Sequence, residues 1–273
     1  MRCLDGYPPA VIDPIRRALS RSVGCLADLP LPRPLRPPLM RAFGRLTGAQ
    51  MEEAGLPLDQ FGSLGEFFAR PLKEGCRPID LDPDALVSPV DGRVQRICTL
   101  RDGMILQAKG FEYPCRELLA GVGEGVNLEG GVAMTLYLSP SDYHRIHTPA
   151  AGTISEARWV RGHMHSVAPS VLTRKMVLPI NERCVLRLDT ERGPLLMVLV
   201  AALNVARLIL NDVPTDWSGA VTSAVSLERG SELGRFELGS TVIVIAPPKT
   251  LNPDPSLTPD AVVRVGRRIA SWV

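Results

Sequence analysis

A chain of 273 residues with 45% apolar residues is long enough for one large domain or two small ones, and too apolar to be disordered overall. Its 25 prolines, 24 glycines and 5% aromatics favour many turns and short elements, a β-rich body rather than a helix bundle. The net charge of +2 names no partner, but residues 1 to 50 hold eight arginines against three aspartates, so that end is basic.

In chain order, residues 9 to 27 place Ile12, Ile15, Leu19, Val23 and Leu26 at steps of three and four beside an arginine-rich face, which predicts an amphipathic basic helix. The proline-rich stretch LPLPRPLRPP, 29 to 38, breaks it, and a second helical pattern runs from about Leu39 to Ala54. A third helix begins at Ser63, where Ser63-x-x-Glu66 makes a capping box ahead of Phe67-Phe68. From about residue 85 the texture changes to short apolar runs closed by Gly, Pro, Asp and Asn: ALVSPVDGRV, GVAMTLYLSP, NERCVLRLDT, GPLLMVLVAALNV and ELGSTVIVIAPP. Those runs read as strands joined by turns. The reading is therefore α+β: a helical basic region over 1–72, then a β-rich body over 73–273 with mainly antiparallel strands.

No apolar run reaches the roughly 18 to 20 residues of a spanning helix, and the N-terminus lacks a signal-peptide plan. Six scattered cysteines without a C-x-x-C pair suggest reduced thiols rather than a disulfide framework or a zinc ribbon.

Three places could carry chemistry. The four histidines, His144, His147, His163 and His165, fall within 22 residues, but His144 and His147 sit in the turn-rich SPSDYHRIHTP rather than on a helix face, so no metal site is assigned. Asp91-Gly92 in SPVDG is a turn between strand-like runs. In FELGSTVIV, 236 to 244, Gly239 interrupts what reads as one strand, and the plain explanation is a bulge. Asp91, His147 and Ser240 together supply a carboxylate, an imidazole and a hydroxyl, each at the end of a strand-like run. Their order in the chain leaves open whether they meet. A serine hydrolase would use the same three residues, although no G-x-S-x-G elbow is present.

Taken together, GEFFARPLKEGCRPID (65–80), SPVDGRV (88–94), AKGFEYPCRELLAG (108–121), YLSPSDYHRIHTPAAGTI (137–154), INERCVL (180–186) and RGSELGRFELGSTVIV (229–244) resemble the phosphatidylserine decarboxylases of the bacterial, membrane-associated type. The resemblance implies a proenzyme that cleaves itself between Gly239 and Ser240 into a β chain, 1–239, and an α chain, 240–273. Ser240 would attack the Gly239 carbonyl, the resulting ester would leave by β-elimination, and the dehydroalanine left at 240 would hydrolyse to a covalent pyruvoyl group. By the same resemblance His147 activates Ser240, Asp91 orients His147, and His144 protonates the carbanion formed as carbon dioxide leaves. The pyruvoyl group is then the only cofactor, and no metal is implied. The implied activity converts phosphatidylserine to phosphatidylethanolamine; a related pyruvoyl decarboxylase acting on another amino acid is the alternative within the class. The implied partners are an anionic phospholipid, the membrane surface at the cytoplasmic face of a bacterial cell, the two cleaved chains for one another and a second copy in a homodimer, with no nucleic acid. The chain departs from the family pattern at GHMHSV (162–167), VAALNVARLIL (200–210) and between Leu210 and Ser226, which bears on substrate contacts more than on self-cleavage.

Overall fold

The structure is a computed structural model that describes residues 22–108, 111–202, 208–211, 220–221, 225–236 and 240–273. Of the helix expected over 9–27, only residues 22–27 fall within this set, and they are helical; the rest of that prediction, with Gly239 and residues 203–207, lies outside it. The second helix runs Arg36–Thr47, earlier than its apolar pattern suggests, because Gly48 at φ 82° stops it in the left-handed region that glycine enters freely. The third is Leu64–Phe68. Ser63 caps it by accepting from the Glu66 amide at 3.1 Å, while Glu66 reaches back to the Gly62 amide at 2.6 Å, one residue before the position a standard capping box would use. Met40, Ala54, Phe61 and Phe67 give this helical part a small apolar core of its own.

Behind it stands a nine-stranded antiparallel sheet, whose centre runs Arg183–Thr190, Gly193–Ala201, Ser240–Ala246, Val132–Leu138, Gly92–Thr99 in spatial order. The strand Ser240–Ala246 is buried at every position. Val242, Val244 and Ala246 enter the apolar cluster on one face with Leu136 and Leu199, and Ile243 and Ile245 enter the cluster on the other with Val198 and Val200. Burial on both faces explains why this stretch reads as an unbroken apolar run and shows no polar alternation. Gly92 opens its strand where a Cβ would collide with the Tyr137 carbonyl on the neighbouring strand, so the close approach requires glycine.

FELGSTVIV is not one bulged strand. Glu232–Phe236 belongs to a three-stranded sheet with Leu208–Leu210 and Arg145–His147, whereas Ser240–Ala246 belongs to the nine-stranded sheet. One ladder of hydrogen bonds therefore ends at Phe236 and another begins at Ser240.

Leu199 lies fully buried next to Val242 in the sheet centre. Leu199→Ala should cost about 3 kcal/mol in urea unfolding, with an unchanged dependence on denaturant; a loss under 1 kcal/mol would show that this sheet is not the core.

Candidate active site

The segment Ser139–His147 holds both sides of the sheet junction. Before it, Val132–Leu138 pairs with Ser240–Ala246 and sets Leu138 opposite Ser240. After it, Arg145–His147 pairs with Glu232–Phe236, and the Phe236 amide donates to the His144 carbonyl at 2.9 Å. Between the two, Asp142 folds the turn by accepting from the Ser139 amide and hydroxyl, both at 2.7 Å. Phe236 and Ser240, on either side of the break expected after Gly239, are thus both anchored on one short loop.

Ser240 is wholly buried, and its Oγ has no hydrogen-bond partner; nor has the Oγ1 of Thr241. A buried hydroxyl without a partner costs about 1–3 kcal/mol, a penalty typical of a group held for reaction.

His144 is also wholly buried. Its ring packs 4.1 Å from the Phe68 ring between centroids, and its Nδ1 lies 2.9 Å from the Asp142 carbonyl. A carbonyl can only accept, so Nδ1 carries the proton and Nε2 bears the lone pair. That Nε2 is buried and unpartnered. Burial first, and then the charge of Arg70, push the His144 pKa down to about 3 against the pull of the Asp142 carbonyl.

His147 is held the same way. Its Nδ1 donates to the Gly230 carbonyl at 2.8 Å, and its Nε2 accepts from the Tyr143 hydroxyl at 3.1 Å. Burial lowers its pKa, while the Gly230 carbonyl, Glu232 and Asp91 act in the opposite direction.

Asp91 is not a hydrogen-bond partner of His147. Its carboxylate takes the Arg77 Nε at 2.9 Å to both oxygens, the Arg77 Nη2 at 2.5 Å and the Val265 amide at 2.9 Å. Arg77 also donates to Glu53 at 2.7 Å. Burial alone would lower the Arg77 pKa, but its bonds to Asp91 and Glu53 outweigh that and hold it above the ordinary value. The structure therefore sets Asp91 beside His147 as a charge, and gives the orienting contact to a backbone carbonyl.

His163 and His165 stack on each other, ring centroids 5.1 Å apart, on a separate segment that bridges to Asn181. Among the described residues no three His, Cys, Asp or Glu side chains converge as a metal site would. The five described cysteines are free thiols.

Sequence reasoning missed Tyr143, Phe68, Arg77 and the Gly230 carbonyl. Tyr143, Phe68 and Arg77 lie inside the motifs quoted above, but their pairings join distant segments. The Gly230 contact is made by backbone, which any residue type could supply.

A family model described as phosphatidylserine decarboxylase matches residues 64–271, a span that contains Asp91, His144, His147 and Ser240. Proteins named phosphatidylserine decarboxylase proenzyme from Myxococcus xanthus and Anaeromyxobacter sp. (strain K) are 42% and 40% identical over 262 residues each. The first alignment covers 93% of this chain and 94% of the relative, the second 92% and 93%. One from Nitrosococcus oceani is 39% identical over 253 residues, covering 86% of this chain and 81% of the relative. A β-rich chain with a buried serine at a sheet junction beside two neutral histidines is thus placed by its relatives. It belongs to the phosphatidylserine decarboxylase family.

Two outcomes test the electrostatics. The unfolded chain protonates His144 near its ordinary value of 6.5, the folded one only near 3, so the unfolded state binds the extra proton between these values. Stability of an uncut Ser240→Ala chain should fall as pH drops from 6.5 toward 3, and a further His144→Gln change should flatten that slope in urea unfolding. Arg77→Met, which strands the buried Asp91 charge, should cost about 3 kcal/mol or more in the same assay.

Proposed function

We propose that this chain is the precursor of a phosphatidylserine decarboxylase that cuts itself between Gly239 and Ser240, turns Ser240 into a pyruvoyl group, and converts phosphatidylserine to phosphatidylethanolamine and carbon dioxide. The observation that carries this reading is the pair of buried, unpartnered atoms on one loop and its paired strand, Ser240 Oγ and His144 Nε2. A prosthetic group made from Ser240 needs no cradle of its own, and the residues around that position fit it. The pyruvoyl ketone supplies the electron sink that a decarboxylation needs.

The remaining work falls to the chain itself. His147, with its proton on Nδ1 toward Gly230, offers the Nε2 lone pair as the base for Ser240 once Tyr143 releases it. Asp91 stabilises the imidazolium so formed through space. As the Ser240 oxygen bonds to the Gly239 carbonyl carbon, the peptide C–N bond breaks and the nitrogen takes the proton; elimination then removes the Cα proton of residue 240 as the Gly239 carboxylate leaves its Cβ, and water converts the dehydroalanine to the pyruvoyl group with release of ammonia. His144, neutral in the empty site, gains basicity when an anionic substrate comes near, and from there delivers a proton to the carbon that has lost its carboxylate.

The two chains produced would stay together. Ser240–Ala246 lies between two strands of the β chain, Val262–Val263 pairs with Gly92–Thr99, and Arg268–Trp272 pairs with Ala85–Val87. Cleavage removes one peptide bond and leaves these ladders intact. A serine hydrolase acting on outside substrates fits less well, because the chain has no G-x-S-x-G elbow around Ser240.

The same proposal puts the enzyme on the cytoplasmic face of the membrane. No helix among the described residues is long and apolar enough to cross a bilayer. Leu35, Leu39 and Leu46, at 51%, 38% and 87% exposure, instead line the basic helix that also carries Arg41 and Arg45, a surface suited to lie in an anionic interface.

Intact mass measurement tests the chemistry. The wild type should give two chains, the smaller with a pyruvoyl end; Ser240→Ala and His147→Gln should stay whole, and His144→Gln should be cut but release no carbon dioxide. A purified wild-type chain that remains whole and inactive would sink the proposal. For the membrane, Leu39→Glu with Leu46→Glu should weaken sedimentation with phosphatidylserine vesicles about tenfold or more, while turnover of a soluble short-chain substrate is unchanged.

A further inference from the structure

Arg70 is the least accessible charged side chain among the described residues, at 2% exposure, yet its Nε and Nη1 have no hydrogen-bond partner. It follows directly on the segment that presses Phe68 against His144, and the Arg145 Nε donates to the Ala69 carbonyl at 3.0 Å, so this stretch is clamped to the catalytic loop. The Arg70 guanidinium sits 5.3 Å from the centre of the Phe67 ring, which fixes its plane but takes none of its donors. Burial lowers its pKa against the pull of the Glu53 and Asp91 carboxylates, neither of which hydrogen-bonds to its Nε or Nη1.

It lines a cavity of about 200 Å³ together with Arg77, Arg93, Arg264, Asp91 and Tyr143. The other guanidinium groups of that cavity are engaged. Arg77 is bound by Asp91 and Glu53, Arg264 lies 3.6 Å from Glu53, and Arg93 donates to the Asp260 carbonyl. The rim includes Gly48, two residues after the exposed Leu46, and Val262 at 60% exposure. The volume suits a headgroup, and its rim lies beside apolar side chains that face solvent.

We propose that this cavity is the subsite for the phosphodiester of the substrate, with the Arg70 guanidinium, whose Nε and Nη1 are closed off from solvent as it stands, turning to donate to its oxygens. The assignment rests on the function proposed above and deepens it. Two anions of the substrate could seek a buried guanidinium, the phosphodiester and the carboxylate, and the reaction separates them. The carboxylate loses its charge as carbon dioxide departs, so a cation gripping it would stabilise the ground state more than the transition state and slow the step. The phosphodiester keeps its charge throughout. Holding it strengthens binding without raising the barrier, and an anion there also offsets the Arg70 charge that depresses the basicity of His144.

Wild-type, Arg70→Gln and Arg70→Lys enzymes, each checked by mass for completed self-cleavage, should be compared on two substrates. One is a short-chain phosphatidylserine; the other is a serine alkyl ether with the same amine and carboxylate but no phosphate. Arg70→Gln should lower kcat/KM for the phospholipid by about 100-fold, mainly through KM, and leave KM for the ether within about twofold, any change there falling on kcat through His144. Arg70→Lys should fall between, and inhibition of the wild type by glycerophosphate should weaken in it at least about fivefold.

Equal losses on both substrates would overturn the proposal, assigning Arg70 to the carboxylate or to scaffolding, and so would an unchanged phospholipid reaction. If Arg70→Gln is not cut, Arg70→Lys carries the comparison; if neither is cut, Arg70 belongs to maturation and the proposal also falls. An inactive, uncut wild type would instead count against the decarboxylase reading itself.

Discussion

Everything at this site depends on burying Ser240–Ala246 in the middle of a sheet that is covered on both faces. A strand so placed has no access to water, so each of its amides and carbonyls must pair with Val132–Leu138 or Gly193–Ala201. That requirement fixes the Ser240 Cα and Cβ through the backbone alone, and leaves the Oγ only its rotation about χ1. Phe236 is committed to another ladder, opposite Leu208 and bonded to His144. The expected cleavage point falls between these two pairings.

The second constraint is electrostatic. Two imidazoles stand on one short segment, His144 wholly buried and His147 partly so, each with Nδ1 tied to a carbonyl of the main chain, at Asp142 and at Gly230. Backbone carbonyls cannot change protonation state, so they set the tautomer at any working pH. Both rings consequently present an Nε2 lone pair. They differ in what faces that lone pair: Tyr143 for His147, nothing for His144. One motif, YHRIH, thus yields two groups of similar chemistry and different availability, which suits a protein asked to carry out two successive reactions.

The helical layer is part of this arrangement and not an appendage. Phe68 packs on His144, Glu53 holds Arg77, which holds Asp91, and Arg70 brings a buried charge to the same region. The exposed leucines on Arg36–Thr47 lie a few residues from the Gly48 rim of the same cavity. Contact with an interface and access to the site are thereby built into one short stretch of chain.

Much of this was legible in the sequence. The apolar runs marked the strands, since burial on two faces demands unbroken Val, Ile and Leu; Ser63 and Glu66 marked a helix start; and the collinear motifs pointed to the family and to Asp91, His144, His147 and Ser240. Some readings needed tertiary structure because their cause is not local. FELGSTVIV looked like one strand with a bulge, and only the pairing partners show that it is two strands in two sheets. Asp91 looked like the orienting partner of His147, but Arg77, fourteen residues before it, takes the carboxylate, and a backbone carbonyl eighty-three residues beyond His147 takes the ring. By itself the sequence determined which side chains could react, because chemistry belongs to residue type. Which of them lose water, which lone pair stays free and which buried donors stay unpaired were decided by the tertiary structure, because burial and pairing are made by residues that are distant along the chain.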